Sequence, residues 1–280
     1  MNLQENTFLE EILSSGRREL RFKIFVHLPF HVFWKYSERL LISGYGPEIY
    51  FNSKIIERDK REIEEVAKFL KDNSIPCTMH APYLDLSPGA IEERVRELTL
   101  EKLLKAVSVA NILKPISVVF HPNWDHWRYE DDAEEWLENA RETFLKISEK
   151  LDPEIPLLFE NVYDQNPEIL LRLRERIDLR RVGFCFDTGH FLNFSTIPLK
   201  EWLDKIKNFL MEIHLHDNMG KRDEHLAIGD GRFPFKELFT YLKENSLLPV
   251  LTIEAHSLEN LIKGESKLKE ILKDVYGDPS

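Results

Sequence analysis

The sequence predicts an α/β protein, a closed (β/α)8 barrel formed by residues 1–280 as a single domain. Two observations carry this expectation. Eight short apolar runs alternate with longer amphipathic stretches. Most of the runs are continuously apolar, without polar alternation, which marks parallel strands buried on both faces. The rival, an open doubly wound sheet, has fewer strands and a glycine-rich first turn. Neither G-x-G-x-x-G nor G-x-x-x-x-G-K-[ST] occurs in the chain. A length of 280 residues with 42% hydrophobic content suits one barrel core, because such barrels reach about 250 residues as one domain.

The predicted strands are 22–28, 48–51, 77–81, 117–121, 156–160, 182–187, 212–216 and 250–254. Predicted helices lie between them. The stretch 59–73 places Ile63, Val66, Phe69 and Leu70 on one helical face. The stretches 91–113, 134–151, 168–177, 199–210 and 234–245 have similar spacing, and 258–276 closes the chain. Pro234 suits the first position of its helix. The link between the first two strands, around Ser43-Gly-Tyr-Gly-Pro, reads as irregular.

Composition narrows the function. Thirty-eight basic and 49 acidic residues give a net charge of −11, which repels nucleic acid and anionic membrane at long range. No segment offers the ~20 apolar residues that span a bilayer. The first residues, MNLQENTFLEEIL, have an acidic amphipathic pattern with no basic start, so no signal peptide is expected. Cys77 and Cys185 sit in apolar runs and read as reduced core thiols of a cytoplasmic protein.

Histidine placement is the informative feature. All ten (His27, His31, His80, His121, His126, His190, His214, His216, His225 and His256) fall at the end of a predicted strand or just after it, none within a predicted helix. In a (β/α)8 barrel these positions converge on the active-site face. Carboxylates repeat the pattern, with Glu160, Asp187 and Glu254 ending strands and Asp217 and Asp223 following the seventh. A lone strand-end histidine is more often a hydrogen-bonded core residue than a ligand. Three strands ending in carboxylates beside three ending in histidine are hard to explain as packing, since a buried carboxylate is costly unless paired or bound to a metal. Mixed imidazole and carboxylate donors suit zinc first, then manganese, iron or cobalt, over an all-oxygen cage.

The segments M-H-A-P-Y (79–83), V-V-F-H-P (118–122), L-F-E-N (158–161), F-D-T-G-H (186–190), H-L-H-D (214–217), D-E-H-L-A-I-G-D-G (223–231) and T-I-E-A-H (252–256) together carry a resemblance. The chain resembles the TIM-barrel superfamily that groups endonuclease IV with the xylose isomerase-like sugar isomerases and epimerases. That resemblance implies two or three divalent metal ions. It places His80, His121 and Glu160 on one metal, and Glu160, Asp187, His214 and Glu254 on a second. His190, Asp223 and His225 would hold a third. The sugar epimerases are similar chiefly through Glu160, Asp187, His214 and Glu254, and in them the two glutamates also act as acid and base. The chain's start, H-L-P-F-H-V-F-W-K-Y (27–36), departs from endonuclease IV, and the acidic charge suits a small substrate better than duplex DNA.

Two activities follow as expectations. One is phosphodiester or phosphoester hydrolysis on a small molecule or nucleotide, with Glu160 between two metals and Asp187 or Glu254 orienting the nucleophile. The other is isomerisation or epimerisation of a sugar or sugar phosphate. There Glu160 and Glu254 face opposite sides of the substrate and His190 steadies an oxygen. Tyr83, His27, Trp124, Asn161, His216 and Arg222 are the expected substrate-binding residues. Trp124 and Trp127 would form a pocket wall or lid, Phe30, Phe33 and Trp34 an apolar mouth, and Lys221, Arg222 and Arg232 could meet a phosphate.

Overall fold

The computed structural model describes residues 22–57 and 60–277, so the N-terminal amphipathic stretch lies outside the described residues. Eight strands run in order around a closed barrel: β1 (Ile24–Pro29), β2 (Gly46–Tyr50), β3 (Thr78–His80), β4 (Val118–Phe120), β5 (Leu157–Glu160), β6 (Val182–Asp187), β7 (Leu210–Leu215) and β8 (Val250–Ile253). Every neighbouring pair is parallel, and Ile24 of β1 in register with Leu251 of β8 closes the ring.

The helices that cover the barrel are α1 (Phe33–Ser43), α2 (Lys60–Asp72), α3 (Glu93–Leu113), α4 (His126–Tyr129), α5 (Ala133–Lys150), α6 (Glu168–Ile177), α7 (Thr188–Phe194), α8 (Leu199–Ile206), α9 (Phe235–Glu244) and α10 (Leu258–Tyr276). No helix among the described residues is long and apolar enough to cross a membrane. Cys77 and Cys185 are free and buried.

Several local expectations change. The supposedly irregular first link contains α1, which buries Phe33, Ser37 and Leu40 and stops at Gly44 with φ +72°. Only three of its eleven residues are buried, so its periodicity is thin in the sequence. The short α7, which the sequence does not predict, puts His190 inside a helix. His126 opens α4 and His31 sits in a 3-10 turn, so the histidines are not confined to strand ends and loops. Pro234 is the cap preceding α9 rather than its first residue. The stretch 199–210 breaks after Ile206 into a 3-10 turn, and β7 begins at Leu210.

Side chains alternate along each strand. On β6, Phe184 and Phe186 join the large core beneath the helices, while Cys185 joins Val119 and Leu158 in a small separate cluster that plugs the barrel interior. The same alternation carries the inward face of every strand up to one layer at the C-terminal end. His27, Tyr50, His80, His121, Glu160, Asp187, His214 and Glu254 stand there, one polar residue for each strand. The outward positions take up the apolar content. That is how the strands read as continuous apolar runs while the barrel still ends in a polar ring.

Asp164, in the loop after β5, is buried with one carboxyl oxygen unpartnered; the other accepts from the Val162 N–H at 3.0 Å. Burial pushes its carboxyl up from 3.8 to about 7. The fold therefore holds a proton that the unfolded chain releases near pH 4, and this contribution to stability declines as pH rises from about 4 to about 7. Asp164→Asn is expected to raise the thermal midpoint at pH 8 by roughly 4 °C, about 2 kcal/mol, and to leave it unchanged at pH 4. An equal gain at both pH values would mean that ionisation of Asp164 is not the cause.

Candidate metal centre

The polar ring closes on Glu160, which is 1% exposed at the tip of β5. One of its oxygens lies 3.1 Å from His80 Nε2, 3.0 Å from His121 Nε2 and 3.4 Å from His214 Nδ1; the other lies 3.2 Å from His190 Nδ1. His214 Nδ1 also stands 3.4 Å from Glu254 and 3.9 Å from Asp187. His190 Nε2 is 3.6 Å, and His225 Nε2 2.9 Å, from Asp223. The structure thus brings together all nine residues that the sequence pointed to as a metal-binding set.

Local structure aims these side chains. His80 Nδ1–H donates to the Ala81 carbonyl at 2.8 Å, which turns Nε2 toward the cluster. The Asp187 carboxylate caps α7 by accepting the His190 N–H at 2.7 Å, and Asn161 exchanges two hydrogen bonds with the Asp187 backbone. The His190 ring donates from Nδ1 to the Asn161 carbonyl at 3.0 Å. Asp223 and His225 ride on a loop organised by Asp217, which accepts backbone N–H groups from Asn218, Gly229, Gly231 and Phe233 at 2.9–3.1 Å. Asp217 is therefore a scaffold for the loop.

A Cβ on Gly231 would lie 2.3 Å from the Asn218 carbonyl and 2.4 Å from an Asp217 carboxyl oxygen. Gly231→Ala should therefore displace this loop and cost about 2–3 kcal/mol, read as a lower denaturation midpoint. A variant as stable as the parent would show that the loop tolerates the shift.

Burial pushes the Glu160 carboxyl up, but the charges of His121 and His214 outweigh it and hold it well below the usual range. Glu254 is likewise held low against burial by His27 and His214. Burial opposes charge on His214, yet Cys185, Glu48 and Glu160 raise its pKa well above the usual value. Every ion pair of these carboxylates among the described residues is with a histidine; no lysine or arginine serves the cluster. Among the described residues, imidazole protons alone offset the concentrated negative charge, and a bound cation would take the place of such protons. In addition, Nδ1 of His121, His214, His216 and His225 is buried with no hydrogen-bond partner. Donor atoms of His80, His121 and Glu160 lie within 4.8 Å of one another, as do those of His216, Asp223 and His225. These residues fit divalent metal ions of the zinc class.

A cavity of about 710 Å³ opens from the cluster, with Tyr83 and Asn123 on its wall. Tyr83 stacks on His121 at 4.4 Å between centroids, and burial raises its hydroxyl's pKa, so it remains a proton donor. His27 stands at the cluster's edge, 3.9 Å from Glu254. The other expected substrate contacts are placed differently. Trp124 is buried against Trp136 at 5.1 Å, covering the helix layer, and Trp127 is 86% exposed outside the cavity. Asn161 and His216 are buried behind Asp187, which His216 Nε2 meets at 3.0 Å. Arg222 is exposed and lies outside the cavity lining, as do Lys221 and Arg232. Phe30 and Phe33 are enclosed in the core, and Trp34 packs on Phe69.

Glu48 is not among the residues that the sequence marks as functional. It is fully buried on β2, with one oxygen 3.0 Å from His27 Nδ1 and the other 3.0 Å from His214 Nε2. Nor is Tyr50, which stacks on His27 at 5.3 Å. The available signal was spacing, since Glu48 and Tyr50 are two apart on one strand and share its inward face.

Residues 46–273 match the family described as the xylose isomerase-like TIM barrel, and the chain belongs to it. An uncharacterized protein of Methanocaldococcus jannaschii is 34% identical over 228 residues, covering 78% of this chain and 73% of that protein. Probable endonuclease 4 of Alkaliphilus oremlandii is 24% identical, covering 81% of this chain and 86% of its own. Among solved structures, a D-tagatose 3-epimerase-like protein superposes with a TM-score of 0.78 at 28% identity, over 92% of this chain and 100% of its own.

Proposed function

We propose that the protein is a metal-dependent phosphoester hydrolase, acting on a phosphodiester or related ester of a small molecule or nucleotide. The observation that carries this reading is the convergence of nine imidazole and carboxylate donors from β3 to β8, including the Asp223–His225 loop. That set offers more donors than a single ion needs. His80, His121 and Glu160 would hold one ion; Glu160, Asp187, His214 and Glu254 a second; His190, Asp223 and His225, with His216 alongside, a third. Such ions, zinc foremost, would supply Lewis acidity to a phosphate or carbonyl and would neutralise charge in the displacement.

The chain's own residues do the remaining work. Tyr83 donates to an ester oxygen from the cavity wall. Glu254, whose side chain is 12% exposed where Glu160 is 1%, is open enough to accept a hydrogen bond from an attacking water and orient it. His190, fixed by Asn161 through Nδ1, keeps Nε2 turned toward Asp223, where the third ion would be held.

A second reading is supported by the D-tagatose 3-epimerase-like relative. Here Glu160 and Glu254, both touching His214 Nδ1 at 3.4 Å, exchange a proton with a carbon beside a sugar carbonyl. Elemental analysis of protein purified without chelator, with assays on aryl phosphodiesters and on ketose epimerisation, separates the two. Three equivalents of zinc with diesterase activity support the hydrolase. One or two equivalents of manganese or cobalt with epimerisation support the second reading, and no uptake of any metal overturns both.

A further inference from the structure

The cavity does not end at the cluster. Its outer arm runs between the loop leading into α3 and the aromatic pair Tyr163 and Phe194, whose rings meet edge-to-face at 5.2 Å. Leu84, Ile91, Val95, Tyr163 and Phe194 line this arm and leave their apolar surface exposed, Leu84 by 68%. Scattered exposed apolar side chains are ordinary, but a contiguous set opening onto a reacting centre marks a binding surface. A volume of 710 Å³ lies in the upper part of the range for small-molecule sites, about 300–1,000 Å³. Room for more than a reacting ester or a short sugar therefore remains.

Charge selects among possible occupants. Asp85, Glu92, Asp125 and Arg128 also line the arm. Arg128 faces Asp125 at 3.8 Å, so these two offset one another. Asp85 and Glu92 have no ion-pair partner among the described residues, and Glu92 is occupied only in capping α3. The arm thus joins an apolar wall to an excess of negative charge, which disfavours a second phosphate or a nucleic-acid backbone.

We propose that this outer arm is the subsite for the non-reacting part of the substrate, and that this part is an uncharged or cationic group with a flat apolar face, such as an aromatic ring. The assignment rests on the inner cluster being the reacting centre, but its test does not require turnover.

The full-length, metal-loaded protein is titrated with N-phenyl-1-naphthylamine, an uncharged fluorophore, and with 1-anilinonaphthalene-8-sulfonate, which adds a sulfonate to the same ring system. The uncharged dye is expected to bind at one equivalent, and the sulfonate at least tenfold more weakly in low salt. Val95→Asp, at an exposed position of α3, should weaken the uncharged dye at least tenfold without altering metal content or the circular dichroism spectrum. Tyr163→Ala should weaken it in the same direction. Equal binding of the two dyes, or Val95→Asp and Tyr163→Ala variants that bind like the parent, overturns the subsite. Dye binding as expected in a protein that hydrolyses no aryl phosphodiester leaves the subsite standing and removes the hydrolase reading.

Discussion

Replacing Glu160 with glutamine is expected to lower kcat/KM by roughly 10³-fold or more and to release at least one metal equivalent, because several kcal/mol of charge stabilisation depend on that carboxylate. The reason is geometric. Nitrogens of His80, His121, His190 and His214 all lie within 3.4 Å of its two oxygens. A carboxamide keeps one acceptor and turns the other oxygen into an NH₂ group, which cannot bind a cation or accept an imidazole proton. Among the described residues, no other carboxylate reaches both the His80–His121 side and the His190–His214 side of the ring. Asp187 meets His190 and His214, and Glu254 meets His214 and His225, but neither pairs with His80 or His121. Elemental analysis beside steady-state kinetics decides the role. Loss of metal together with activity fits a shared ligand. Loss of activity with full metal content fits the acid or base of the epimerase reading. A variant within tenfold of the parent in activity, with its metal intact, refutes the central place given to Glu160 in both.

The barrel was legible because parallel strands buried on both faces leave a strong apolar signature, and β5 and β6 carry it to their last residues. Eight strand-end and loop residues, with His190 just beyond the end of β6, were legible because histidine and acid rarely end apolar runs by chance. What escaped notice had little local signal. The helix α7 has seven residues, too few for a periodicity, and it is held by a cap from Asp187. The indole of Trp124 was expected at a pocket wall, but nothing in Asn-Trp-Asp-His-Trp says which tryptophan turns inward. Its tertiary partner Trp136, twelve residues further on in α5, decides that by contact alone. The apolar run in the sequence places Glu48 first in a strand from 48 to 51. The strand begins at Gly46, so Glu48 sits at its middle, in register with His27 and Thr78 of the flanking strands. A two-residue error in one boundary concealed a buried carboxylate.

That carboxylate carries the second large expectation. Glu48→Gln should weaken metal binding by about 10–100-fold, the usual cost of removing a carboxylate that orients a ligating histidine. Glu48 accepts from His214 Nε2 and so leaves Nδ1 pointing at Glu160, Glu254 and Asp187, where it is buried without a hydrogen-bond partner. Its other oxygen holds His27 beside Glu254. Burial alone would push the Glu48 carboxyl up; His214 and His27 instead bring it to about 2, so it is charged at any working pH. Nearby Glu212 is pushed up to about 7 by burial and by Glu48's charge, and it takes hydroxyl hydrogen bonds from Ser117 and Thr252. Two carboxylates under the same histidine thus divide their roles, one anionic and orienting, the other a structural acceptor. Glutamine at 48 keeps the size and one acceptor but loses the charge that makes His214 a strong, correctly turned donor. Cobalt substitution gives a readout that a purely structural role would not move, since the visible spectrum reports the ligand field. The expected result is a folded variant with weakened, spectrally altered cobalt binding. A variant with the parent's cobalt spectrum and an affinity within twofold would show that His214 needs no help from Glu48.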